Sequence, residues 1–130
     1  MVMIKEDYVS FETAKLLKSK KFHIPTRSHY DGRGGFGFLD ICEIDWNNYK
    51  CFKERRCYSA PTHQMARKWL RKMYNINIDI VPVWNQKRFE YQVFIVTPEN
   101  AKHCYVDEKL YLGYEEAAEA GIKYSLENLI

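Results

Sequence analysis

Between residues 62 and 80 the hydrophobic period changes with no linker between its two forms. Met65, Ala66, Trp69, Leu70 and Met73 share one side at about 100° per residue, with Gln64, Arg67, Lys68 and Arg71 opposite and Lys72 at the margin. Ile76, Ile78 and Ile80 then alternate with Asn77 and Asp79, the period of a strand with one buried face. A helix that runs straight into a strand must fold back on it to cover both apolar surfaces. The stretch therefore predicts an α+β domain whose sheet is packed by helices. Trp69 and both methionines are expected to face inward, leaving the cations outside.

The rest of the chain extends the pattern. Ser10 is placed as N-cap of a helix written FETAKLLKSKKF, with lysines at its favourable C-terminal end and Pro25 beyond. Residues 27–46 predict a hairpin turning at Asp31-Gly32-Arg33-Gly34-Gly35, with FGFLDICEIDW as the return strand. Residues 47–59 show no clear period and predict an irregular basic connection with a short strand near Cys57 and Tyr58. Asn75 closes the central helix, Pro82 marks an edge or bulge, and FEYQVFIV returns after NQKR. Tyr105 to Leu112 predicts a short edge strand, and YEEAAEAGIKYSLENL a final helix with acids in its first turn. The expected fold is one α+β domain over 1–130, an antiparallel sheet of hairpins packed by about three helices. SFETAKLLKSKKFHI aligns with THQMARKWLRKMYNI, which admits an αββ-αββ-α layout, although two helices beginning alike explain the match as well.

At 130 residues and 46% hydrophobic content, a domain of this size buries roughly two-thirds of its unfolded surface and needs neither disulfide nor metal. No apolar run reaches the roughly 18 residues of a membrane span. The acidic start MVMIKEDYVSFE does not read as a secretory signal, so a cytoplasmic protein away from membranes is expected. Cys42, Cys51, Cys57 and Cys104 form no CxxC pair and read as reduced thiols.

The net charge of +3 hides a basic run, in which Lys50, Lys53, Arg55, Arg56, Arg67, Lys68, Arg71 and Lys72 stand against Glu54. Lys53, Arg55, Arg56, Arg67, Lys68, Arg71 and Lys72 form a candidate nucleic-acid contact, since cations along one helix face neutralise phosphates. The plainer reading of that face is solvation. GRGGFG at 32–37 fits the dinucleotide pattern letter for letter, yet a polar segment precedes it and a strand follows, so it reads as a hairpin turn. Asp79 and Glu90 on successive strands are a weak candidate for a metal-dependent hydrolase or nuclease, with Gln92 where a lysine would be wanted. Cys51, Cys57, His63, His103 and Cys104 lack the paired spacing of structural zinc. No cofactor and no catalytic set is expected. Abundant Tyr, Trp and Arg, the types enriched at contact hot spots, favour a non-enzymatic module for an unidentified protein partner.

YVSFETAKLLKSKKF, SAPTHQMARKWLRKMYNINIDI and YEEAAEAGIKYSLENLI together resemble a group of small proteins of no assigned activity encoded by phages and prophages of gut bacteria. The resemblance covers about half the chain in three blocks and transfers no catalytic role to any position. It implies an accessory protein made inside a bacterium that binds a host or phage partner.

Overall fold

The computed structural model describes residues 6–49, 56–106 and 109–130, and the chain divides into two compact units, residues 1–62 and 63–130. Among the described residues there are three α-helices and two three-stranded antiparallel sheets, a mixed α+β fold. No helix of the described residues is long and apolar enough to cross a membrane.

In the first unit, helix α1 (Phe11–Ser19) starts where the Ser10 side chain accepts from the Thr13 N–H at 3.2 Å. It ends earlier than its sequence pattern suggests, because Lys21 takes a left-handed φ of 64°. Thr13, Ala14 and Leu17 form its buried stripe. Strand β1 (Ser28–Asp31) lies between β2 (Phe36–Phe38) and β3 (Cys57–Ser59). The predicted return strand is thus cut to three residues, and pairing resumes only at an isolated bridge between Thr26 and Ile44. The segment after that bridge is held by side chains. Trp46 Nε1 donates to the Thr26 carbonyl at 2.8 Å. Buried Asn47 donates to the Phe22 carbonyl at 2.7 Å and accepts from the Ser59 N–H at 3.0 Å. A stretch with no hydrophobic period is therefore fixed by hydrogen bonds to buried backbone, groups that are costly to leave unmade.

The second unit opens with α2 (His63–Tyr74), closed by Asn75 at a φ of 58°. Strands β4 (Ile76–Val83), β5 (Arg88–Val96) and β6 (Ala101–Val106) form a meander in the order β4-β5-β6. A single 3₁₀ turn, Trp84–Gln86, and Lys87 at a φ of 52° link β4 to β5. Strand β6 begins before the predicted Tyr105 and carries a bulge, because Val93 pairs with Tyr105 while Phe94 pairs with His103. Each of the two first helices is thus followed by three strands rather than two. The central strand is the first of its three in one unit and the second in the other, so the sequence likeness does not extend to topology.

Register sets the two faces of this sheet. Ile78 opposes Val93 and Ile80 opposes Tyr91, and α3 (Tyr114–Asn128) packs on that side through Ala117, Ala118, Gly121, Ile122, Ser125 and Leu126. Gly121 permits the approach. A Cβ there would lie 2.7 Å from Ile78 Cγ2 and 3.2 Å from the Tyr91 ring. Helix propensity favours Gly121→Ala by about 1 kcal/mol. Overpacking against two strands costs about 1–3 kcal/mol. A net loss of about 1 kcal/mol is expected, read as a lower urea midpoint with unchanged slope.

Edge exposure follows from the same register. Phe89 exchanges both its backbone bonds with Tyr111, at 2.8 Å each, so odd residues of β5 point their backbone groups away from β4. Asn77, Asp79 and Val81 then bond to β5, while Ile76, Ile78, Ile80 and Pro82 direct theirs away from it. Proline occupies one edge position, as the sequence suggested, and offers no donor there.

Two further expectations fail. Met73 is 61% exposed although it shares the helical stripe with Trp69, which is 6% exposed; it is the last stripe residue before the chain turns into β4. Cys57 is disulfide-bonded rather than a reduced thiol, whereas Cys42 and Cys104 are free.

Candidate functional site

The residues named from sequence are shared between the two units. Lys53 and Arg55 lie outside the described residues. Arg56, exposed just before β3, belongs to the first unit, and Arg67, Lys68, Arg71 and Lys72 belong to the second. On α2, Lys68, Arg71 and Lys72 are exposed and make no ion pair among the described residues, which agrees with a solvated face.

Arg67 departs from them. It is half-buried, its Nη2 donates to the Ile78 carbonyl at 2.6 Å, and its Nη1 donates to the Tyr114 hydroxyl at 3.0 Å. The guanidinium therefore joins α2 to the edge of β4 and to the start of α3. The long, planar head reaches a β-strand carbonyl that a shorter cation could not, so the residue faces the fold rather than a ligand. One turn earlier, His63 Nε2 stands 3.6 Å from Glu119 Oε2 of α3, beyond hydrogen-bond length. The sequence carried no sign of this approach, because the partners are far apart along the chain.

Asp79 and Glu90 occupy one face of the β4-β5-β6 sheet, the face opposite α3. Asp79 stands directly across from Gln92, and Glu90 from Val81, so the carboxylates are diagonal neighbours. Gln92 Nε2 donates to Glu90 Oε1 at 3.0 Å, turning that carboxylate towards an amide. Among the described residues no group of three His, Cys, Asp or Glu is placed to hold a metal ion.

This face also presents apolar side chains, of which Phe94, Val96 and Val106 adjoin. Val81, Phe94, Val96 and Val106 share the face by register, and the His103 ring meets Phe94 edge-on at 4.8 Å between centroids. Val96 is 43% and Val106 36% exposed. At the β4–β5 turn Trp84 is 86% exposed, among the most exposed of the large apolar side chains. The strand's loss of polar alternation towards Val96 suggests deeper burial there, but Phe94 is half-buried on the face away from α3 and Val96 is exposed.

In the first unit the glycine pattern is a hairpin turn. Asp31 Oδ1 accepts from the Arg33 N–H at 2.8 Å and the Gly35 N–H at 2.9 Å, and Gly34 adopts a φ of 89°. The amides that would cradle a pyrophosphate are thus occupied by the turn's own carboxylate, and no helix follows them. His29 stacks on Trp46 at 3.9 Å, and burial holds its pKa below the usual imidazole range against an upward pull from Asp31. Its ring is laid across Gly37, in a packing role. The chain matches no protein-family model, no curated protein and no solved structure.

Proposed function

We propose that the protein is a non-enzymatic interaction module that binds a protein partner through the face of the β4-β5-β6 sheet opposite α3. The reading is supported by one observation: Phe94, Val96 and Val106 adjoin on that face, Val96 and Val106 at least partly exposed, while Trp84 is exposed at the β4–β5 turn. A few anchors, tryptophan prominent among them, carry most binding energy at contact surfaces. Asp79 and Glu90 lie on the same face beside Gln92, so the complementary partner combines an apolar anchor with lysine or arginine. Such a role fits the accessory character that the resemblance to phage and prophage proteins implies.

A second reading keeps nucleic acid as the partner, on the strength of exposed Lys68, Arg71 and Lys72, which make no ion pair among the described residues. One set of variants separates the two. Trp84→Ala with Val106→Ser, both at exposed positions, should abolish specific capture of a protein from bacterial lysate, while Lys68→Ala, Arg71→Ala, Lys72→Ala should leave it intact. Capture that is absent, or indifferent to the first pair, overturns the protein reading. Retardation of DNA or RNA at low salt that steepens with the three cations and vanishes without them would put nucleic acid first.

A further inference from the structure

Strand β4 stands at one end of its sheet, and no strand of the described residues pairs with its outer edge. That edge carries the outward backbone groups of Ile76, Ile78, Ile80 and Pro82. The last three differ in what they offer. Ile80 presents both an N–H and a carbonyl, and neither meets a backbone partner among the described residues. Ile78 presents its N–H alone, because its carbonyl already accepts from Arg67 Nη2 at 2.6 Å. Pro82 presents its carbonyl alone, because proline has no N–H. From Ile78 to Pro82 the edge therefore runs donor, then donor with acceptor, then acceptor.

Reversed, that order is its own complement. With two copies antiparallel about a twofold axis at Ile80, Ile80 exchanges both bonds with its counterpart, and each Ile78 N–H donates to the other copy's Pro82 carbonyl. The donor that Pro82 lacks would have faced the one carbonyl that Arg67 already satisfies. Neighbouring alignments fail. An axis at Asp79 sets the Ile80 N–H against the carbonyl held by Arg67 and leaves the Ile76 carbonyl facing proline. An axis at Val81 sets the Ile80 carbonyl against proline. Backbone groups left unmet on burial are costly, so one register is selected. We propose that β4 pairs with β4 of a second copy about Ile80, joining the two three-stranded sheets into one. Arg67 acts as the key to that register, and pairing loses the restriction without it. The paired stretch is short, which suits a weak dimer with a dissociation constant of roughly 0.1–1 mM. Asp79, exposed on the face opposite α3, then stands across from Val81 of the second copy and diagonal to the second Asp79. Salt screens that repulsion, so the dimer should tighten as salt rises.

The test is sedimentation equilibrium of the full chain from about 10 µM to about 2 mM, at low and high salt. In a mixture of ¹³C-labelled and unlabelled chains, filtered Overhauser spectra should join the Hα of Asp79 to the Hα of Val81 on the other copy. Pairs of that kind bring their α-carbons to about 4.5 Å. Ile80→Pro removes an outward N–H and keeps every bond to β5, so the fold should persist while the dimer is lost. Asp79→Asn, at an exposed position, should tighten the dimer about threefold and remove its response to salt. A chain that stays monomeric at the highest concentration, a dimer that survives Ile80→Pro, or one that loosens with salt overturns the proposal. So do cross-peaks that set β4 against β6 of the other copy, since that pairing is head-to-tail and does not close at two.

Discussion

Trp69→Ala is expected to remove about 3–5 kcal/mol of stability, whereas Met73→Ala, one turn further along the same helix, should change it by less than about 0.5 kcal/mol. The contrast comes from burial and not from residue type, since both positions lie on the apolar stripe of α2. Trp69 is 6% exposed and meets the Tyr74 ring edge-on at 5.3 Å. Truncating it forfeits the transfer energy of the largest side chain and leaves a void that the neighbouring helix and strand can refill only in part. Met73 is 61% exposed, so its loss creates no cavity. Urea unfolding followed by far-UV circular dichroism measures both. A midpoint for Trp69→Ala within error of the unsubstituted protein would mean that the indole does not anchor α2, and the assignment of the inner face would fall with it.

What could be read from the sequence was what periodicity and backbone chemistry encode locally. The Ser10 cap, the turn at Asp31–Gly35, the stop at Asn75 and the edge position of Pro82 each rest on one residue's conformational preference, and each is present. The alternation of Ile76, Ile78 and Ile80 likewise identified the inner face. Other features had no local signature. Trp46 reads as the end of a strand and Asn47 as the start of a featureless stretch, because both act through hydrogen bonds to backbone more than ten residues away. The return strand of the first hairpin was overlong in expectation because FGFLDICEIDW is β-prone throughout, but only its first three residues find a partner strand. A propensity for strand is satisfied only where a second strand offers its backbone groups. The candidate surface was legible in composition, through aromatic residues, but not in place. Strand pairing, which no single strand encodes, put Phe94, Val96 and Val106 on one face.

Arg67 shows the same limit for charge, and its removal is the second large effect. A helical wheel places it with Lys68 and Arg71, and only coordinates show that its side chain turns inward. Arg67→Ala is expected to cost about 2–3 kcal/mol, the range of hydrogen bonds to a charged donor. It loses bonds to the Ile78 carbonyl at 2.6 Å and the Tyr114 hydroxyl at 3.0 Å. The Ile78 bond should dominate. Tyr114 is 43% exposed, so water can replace the guanidinium at its hydroxyl, and Tyr114→Phe should cost less than about 1 kcal/mol. Arg67→Lys should recover only part of the loss, because an ammonium point charge cannot span two acceptors on different elements. The edge carbonyl left by Arg67→Ala also extends the bare stretch of β4 between Asn75 and Pro82, the arrangement that invites pairing with another chain. Light scattering of the alanine variant should therefore reveal association that Lys68→Ala and Arg71→Ala do not produce. If Arg67→Ala unfolded at the same urea concentration as those two surface variants, the guanidinium would have to be counted with the solvated cations. The nucleic-acid reading would then regain a contact that the fold currently withholds.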